Sequence, residues 1–217
     1  MNKKYETLIA EFFGTALLLA VITGSGIMAD NLSSGNIAVA LLGNSIATGC
    51  GLYVLITLLG PISGAHFNPM VSLMFWRAGV LKAQSLIHYL LAQFSGAIAG
   101  VWVTHLMFGL PMIQHSLKSR NGMGIWLSEF LATLILLAVI RLGLKYASEK
   151  IPLLVAMIVT AGYWFTSSTF FSNPAVTVAR SLTNTFVGIQ AADVLLFISA
   201  QVAATLLILV MMKVESK

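Results

Sequence analysis

Ser172-Asn173-Pro174-Ala175-Val176 decides how this chain reads, and Phe67-Asn68-Pro69-Met70-Val71 nearly repeats it in the first half. Asn is a favoured helix N-cap, and Pro suits the first helical position because its missing N–H would be unsatisfied there in any case. Each Asn-Pro is therefore a helix start. Asn68 follows the apolar run from Leu52 to Pro61, and Asn173 follows Ile151 to Phe171, with no charged residue inside either run. Both starts then fall at membrane depth, where non-helical backbone survives only when buried in protein or lining a wet cavity. Two broken helices, one per half, aim their positive N-terminal ends at a common midplane site.

Composition agrees with a membrane setting. The chain has 217 residues, is 58% hydrophobic and only 9% charged, and its mean hydropathy is +0.92. A soluble domain does not fit these values. The net charge of +5 comes from Lys and Arg scattered at segment ends, so no basic stripe invites nucleic acid. Cys50 stands alone, which excludes an intrachain disulfide and a cysteine metal cluster. The segment after Met1 shows no small-residue cleavage site and is expected to remain as a spanning helix.

Six stretches approach the ~20 residues needed to cross ~30 Å of hydrocarbon: Thr7 to Met28, Ile37 to Gly60, Ala83 to Phe108, Ile125 to Leu144, Ile151 to Phe170 and Ala191 to Met212. Asn68 to Arg77 and Asn173 to Leu182 are too short to span, and are expected to dip in and return. Cytoplasmic loops are enriched in Lys and Arg. Lys3, Lys4, Arg77, Lys82, Arg141, Lys145, Lys150, Lys213 and Lys217 fall on one side of this arrangement, and Lys118, Arg120 and Arg180 on the other. Both termini are thus expected in the cytoplasm.

The halves repeat, over roughly 7–108 and 125–213 within one domain of 1–217. Ala10-Glu11-Phe12 is echoed by Ser128-Glu129-Phe130, each half then has its Asn-Pro, and each has a later Gln93 or Gln201. Three spans per half is an odd number, so the second copy sits upside down. The fold class expected is an all-α membrane protein with six transmembrane helices and two re-entrant half-helices. Together with Ser63-Gly64-Ala65-His66-Phe67-Asn68-Pro69 and Gln93-Phe94-Ser95-Gly96-Ala97, this ordered set resembles the aquaporin and glycerol-facilitator superfamily, the major intrinsic proteins, over essentially the whole chain.

That resemblance implies a passive channel in a bacterial inner membrane, homotetrameric, with one pore per protomer. Water and small neutral solutes are its expected partners, with no nucleic acid, cofactor or metal. Asn68, Pro69, Met70, Asn173, Pro174 and Ala175 form the pore midplane, where two carboxamides donate into the lumen and two helix ends repel protons and cations. Met70 replaces the usual Ala and either narrows or reshapes that level. Intramembrane Glu11 and Glu129 are functional candidates on cost alone; in the family such glutamates brace the re-entrant loops, and proton coupling is the other reading. Gln93 and Gln201 are expected to satisfy buried backbone. His66 resembles the family's cytoplasmic pore-mouth histidine, either a lining or gating residue or a loop-packing one. His88, His105 and His115 show no ligand spacing and read as bystanders.

The narrowest point in relatives maps here onto Thr48, Ala161, Phe170 and Val176, with Val176 where relatives usually carry Arg. Such a filter should be wider and more apolar, admitting glycerol-like polyols and, by resemblance of Asn173 through Arg180 to a bacterial branch, arsenite. Arg180 lies one helical turn beyond Val176 and is read either as a vestibule charge or as an interfacial arginine that reaches for headgroups or caps a loop. Gly96 and Gly100 offer a small-residue packing face. An ion-coupled transporter, with Glu11 and Glu129 as the only coupling candidates, and a non-transporting scaffold are the rival functions. Enzymatic chemistry has no nucleophile, phosphate-loop or ligand constellation to support it.

Overall fold

The computed structural model describes residues 3–215, with side chains through Met212; Lys213 and Lys217, assigned to the cytoplasmic side by sequence, lie outside the side chains described. The described residues form eight α-helices and one 3-10 turn. These are α1 (Lys3–Leu32), α2 (Ile37–Ser63), α3 (Pro69–Arg77), α4 (Ala83–Met107), α5 (Met123–Tyr146), α6 (Ile151–Phe165), α7 (Pro174–Arg180) and α8 (Ala191–Glu215). By length and composition α1, α2, α4, α5 and α8 can cross a membrane. The sixth crossing is α6, whose 15 residues cover only about 22 Å at ~1.5 Å per residue.

Spacing alone suggested a helix from Ile151 to Phe170, and the structure shortens it. The helix stops at Phe165 because Thr166 is extended, with φ −110° and ψ 133°, and Thr169 and Phe170 then take φ of 60° and 56°, a left-handed conformation no α-helix continues through. A loop that turns at residues 167–168 and passes through left-handed Thr169, Phe170 and Ser172 carries the backbone onward to α7 instead. At the other repeat, α2 ends where Gly64 adopts φ 86° and its N–H bonds back to Gly60 O, a glycine C-cap that turns the chain inward.

The halves match by packing as well as by sequence. In the first, α1 packs on α2 and α4; in the second, α5 packs on α6 and α8. The halves meet where α2 lies on α6, and the half-helices cross over, α3 reaching α8 and α7 reaching α4. The glycine face of α4 serves this bundle directly. A Cβ at Gly96 would stand 2.3 Å from Phe12 O and one at Gly100 2.1 Å from Ala16 O, so α1 and α4 touch backbone to backbone.

Candidate functional site

Both half-helix starts fold as their sequences dictate. Asn68 Oδ1 accepts from Met70 N at 2.9 Å, and Asn173 Oδ1 accepts from Ala175 N at 3.0 Å and Val176 N at 3.3 Å. The amide nitrogens do something the sequence did not disclose. Asn68 Nδ2 donates to Ser172 O at 2.7 Å and Asn173 Nδ2 donates to Phe67 O at 2.8 Å. Each carboxamide thus ties its own loop to the carbonyl preceding the opposite asparagine. A primary amide has two N–H groups, so one remains on each for the lumen.

The loops before the two asparagines match residue for residue. Ala65 and Phe67 have φ of 48° and 47°, and Phe170 and Ser172 have 56° and 50°, three and one positions before each Asn. Left-handed non-glycine residues cost ~1–3 kcal/mol each and persist only where their surroundings over-determine them. Fully buried carboxylates supply that constraint. Glu11 Oε1 accepts from Ser63 Oγ at 2.7 Å and His66 N at 2.9 Å; its Oε2 accepts from Phe67 N at 2.9 Å and Gln93 Nε2 at 2.8 Å. Glu129 Oε1 accepts from Ser172 N at 2.5 Å and Gln201 Nε2 at 2.7 Å. Gln93 and Gln201 each donate again, to Ser72 Oγ and Thr177 Oγ1 at 2.9 Å, which locks each loop to its half-helix.

Between these loops runs a lumen of about 130 Å³; a water needs ~10–15 Å³ by this measure, so there is room for several in file. Four helices contribute ridges at four-residue spacing: Leu18 and Ile22 from α1, Thr48, Leu52 and Ile56 from α2, Leu136, Ile140 and Leu144 from α5, and Ile151, Val155, Val159 and Tyr163 from α6. Those walls are mostly apolar. Polar groups come from Asn68, Asn173, His66, Thr48, Tyr163, Arg180 and the re-entrant backbone.

Thr48, Phe170 and Val176 line the lumen as sequence counting expected, but Ala161 does not; it is exposed on the outside of the bundle. The reason is helical phase. Val159 and Tyr163 sit a turn apart on the inner face of α6, and a residue two positions from each points about 200° away. Tyr163 takes the place assigned to Ala161, and its hydroxyl shares a 3.2 Å hydrogen bond with Thr48 Oγ1. Of the midplane set, Asn68 and Asn173 line the lumen, while Pro69, Pro174, Met70 and Ala175 are buried outside its lining. Met70 joins the apolar core and is not among the residues that line the lumen.

The headgroup reading of Arg180 is overturned, since the residue is 2% exposed and lines the lumen, whereas the loop-capping reading holds, its Nε donating to Val187 O in the loop after α7. His66 also lines it, stacked on Phe75 with ring centroids 4.5 Å apart and with Nδ1 3.0 Å from Ser72 Oγ. His105 is no bystander. Fully buried, it joins Met112 O through Nδ1 at 2.9 Å and Thr183 Oγ1 through Nε2 at 2.8 Å, coupling the loops after α4 and α7. His88 Nδ1 bonds to Gln84 O one turn back. Sequence reading also passed over Tyr163, Phe171 and Arg120. The Val155-Val159-Tyr163 spacing could have exposed the first; nothing local connects the other two to the lumen.

Comparisons with known proteins agree with this geometry. Residues 1–166 match the family model described as Major intrinsic protein. The chain is 49% identical over 205 residues to Aquaglyceroporin AqpS of Rhizobium meliloti (strain 1021), covering 94% of this chain and 88% of that protein. It is 40% identical over 100 residues to Aquaporin Z of Brucella melitensis, 46% of this chain and 43% of that protein. Among solved structures, the aquaglyceroporin from Plasmodium falciparum superposes with a TM-score of 0.70 at 22% identity, covering 93% of this chain and 91% of that one.

Proposed function

Because this chain belongs to the major intrinsic protein family, we propose that it is a passive membrane channel whose solutes are water, glycerol-like polyols and arsenite. The channel reading for water and small solutes rests on the family and on the relative named an aquaglyceroporin. The observation that carries it is the pair of half-helices meeting at the midplane, with Asn68 and Asn173 both lining one continuous lumen. Two partly positive helix ends face that level. They favour a neutral oxygen-bearing solute and oppose a cation or proton.

The filter reading follows from Thr48, Tyr163, Phe170 and Val176. Val176 supplies no donor and little bulk, so solutes larger than water are admitted along an apolar wall, while the Thr48 and Tyr163 hydroxyls offer hydrogen bonds opposite. Arg180, a turn further out, provides the vestibule charge. Neutral As(OH)₃ has the size and hydroxyl pattern of a polyol and fits the same description. His66 closes the list at the other mouth, lining the lumen beside Phe75. An ion-coupled transporter would need a carboxylate free to take up and release its ion, and Glu11 and Glu129 are both engaged in holding loop backbone. The channel is read as a homotetramer with both termini in the cytoplasm.

Stopped-flow light scattering on reconstituted protein under water, glycerol and arsenite gradients tests this, repeated with Val176→Arg. Glycerol and arsenite passage should fall at least tenfold in the variant while water passage falls less. Unchanged passage of the larger solutes would overturn the open-filter reading, and no permeability above bare lipid in the parent protein would overturn the channel.

A further inference from the structure

At the outer end of the lumen two arginines from distant parts of the chain converge on one aromatic ring. The guanidinium of Arg180 lies 3.5 Å from the Phe171 ring centroid and that of Arg120 lies 5.1 Å from the same centroid. The loop after α7 holds both with adjacent carbonyls: Arg180 Nε donates to Val187 O at 2.5 Å and Arg120 Nε to Gly188 O at 2.8 Å. Ile189 N closes the grip by donating to Arg180 O at 3.2 Å. The loop can come this close only because residue 188 is glycine, since a Cβ there would meet Ser116 Oγ at 2.2 Å and Thr183 O at 2.5 Å.

We propose that Arg120 is a second, positioning arginine of the cation barrier: Arg180 presents donors and charge to the lumen, and Arg120, acting through Phe171 and the Val187–Gly188 carbonyls, fixes that guanidinium and adds its own charge. The reading rests on the channel function above and deepens it. Arg180 lines the lumen and Arg120 does not, so they divide the work between solute contact and support. The shared ring is itself buried. Phe171 packs on Phe197 at 5.1 Å between centroids, in a small buried cluster with Ile189.

Arg120 is anchored independently of the ring. Its backbone N–H donates to Asp193 Oδ2 at 2.6 Å, and Nη1 reaches Thr169 Oγ1 at 3.4 Å. Asp193 takes backbone and the Ser119 hydroxyl, and among the described residues neither guanidinium forms an ion pair with a carboxylate. Two guanidinium charges without a direct carboxylate partner thus bear on one end of the lumen, with the Glu129 carboxylate opposing them from further off, and would supply the positive field that Val176 lacks. A planar guanidinium also lies against a ring and spans a carbonyl as an ammonium does not.

The test uses full-length protein in proteoliposomes with a trapped pH dye, reading proton and potassium leak beside water flux in the same vesicles. Arg120→Gln removes the charge while keeping reach to the Gly188 carbonyl; it should raise cation leak at least tenfold over the parent with water flux retained. Arg120→Lys, which restores charge without the planar contact, should recover less than half of the barrier. In an Arg180→Ala background, Arg120→Gln should add little, because coupled residues are not additive. An unchanged leak in Arg120→Gln overturns the proposal, and fully multiplicative effects overturn the positioning role. Parent vesicles without water flux above bare lipid would instead defeat the channel reading on which it stands.

Discussion

Ala161 and Tyr163 show what one side chain's phase on a helix decides. Counting from Asn173 selected position 161, yet α6 turns Tyr163, two residues on, inward, and a phenol with a hydroxyl partner lines the lumen where a methyl group was expected. Lys118 makes a separate case at the same end of the molecule. The Lys118 side chain is exposed as a whole, but loss of water around its ammonium, and then the charges of Arg120 and Arg180, lower its pKa to about 8, with Asp30 opposing; the ammonium donates to Phe186 O at 2.7 Å and sits 4.6 Å over that residue's ring. A lowered lysine pKa means the charged form is disfavoured where it sits, so the positive charge is present below pH 8 and lost as pH rises through it. Amine labelling read by mass spectrometry should show Lys118 modification rising to half its maximum near pH 8. A midpoint near 10.5 would mean that neither loss of water nor the neighbouring arginines act on this ammonium.

Elements inherit these choices. An extended Thr166 ends α6 early, non-glycine residues at positive φ bend both re-entrant loops, and the carboxylates of α1 and α5 hold them there. The first half accommodates this with Gly14, whose missing Cβ leaves room for the Phe67 ring, where an added carbon would stand 2.0 Å from Cε1. The α1–α4 contact obeys the same logic of close approach. Gly100→Val would push a branched side chain against Ala16 backbone, and overpacking of this kind costs ~1–3 kcal/mol. The melting temperature of the solubilised variant should fall by several degrees, whereas Gly124→Val, at a position with open space around its Cβ, should melt with the parent. Equal melting of both variants would show that helix approach at Gly100 is not needed.

For the whole molecule, the inverted repeat places the strongest determinants at its centre and leaves the outer faces apolar, with Leu32, Ile37 and Met107 each over 70% exposed, as lipid or neighbouring protomers require. Alkaline phosphatase fused to either terminus should be inactive and a fluorescent protein active, and native mass spectrometry from lipid should give four protomers; a phosphatase-active terminus would reverse the orientation, and a monomer would remove the tetramer. The chain's own letters settled the membrane setting, the doubled Asn-Pro starts and Glu11 and Glu129 as buried acids with a role, because apolar length, proline chemistry and the cost of a buried charge are local properties; that both glutamates brace loop backbone was seen only in the folded chain. Contacts between remote segments had no such local sign. That Asn68 and Asn173 tie each other's loops, that Tyr163 rather than Ala161 faces the lumen, that Met70 turns away from it, and that Arg120 meets Arg180 across Phe171 depended on helix phase and on loops brought together from opposite halves, which only the tertiary packing fixes.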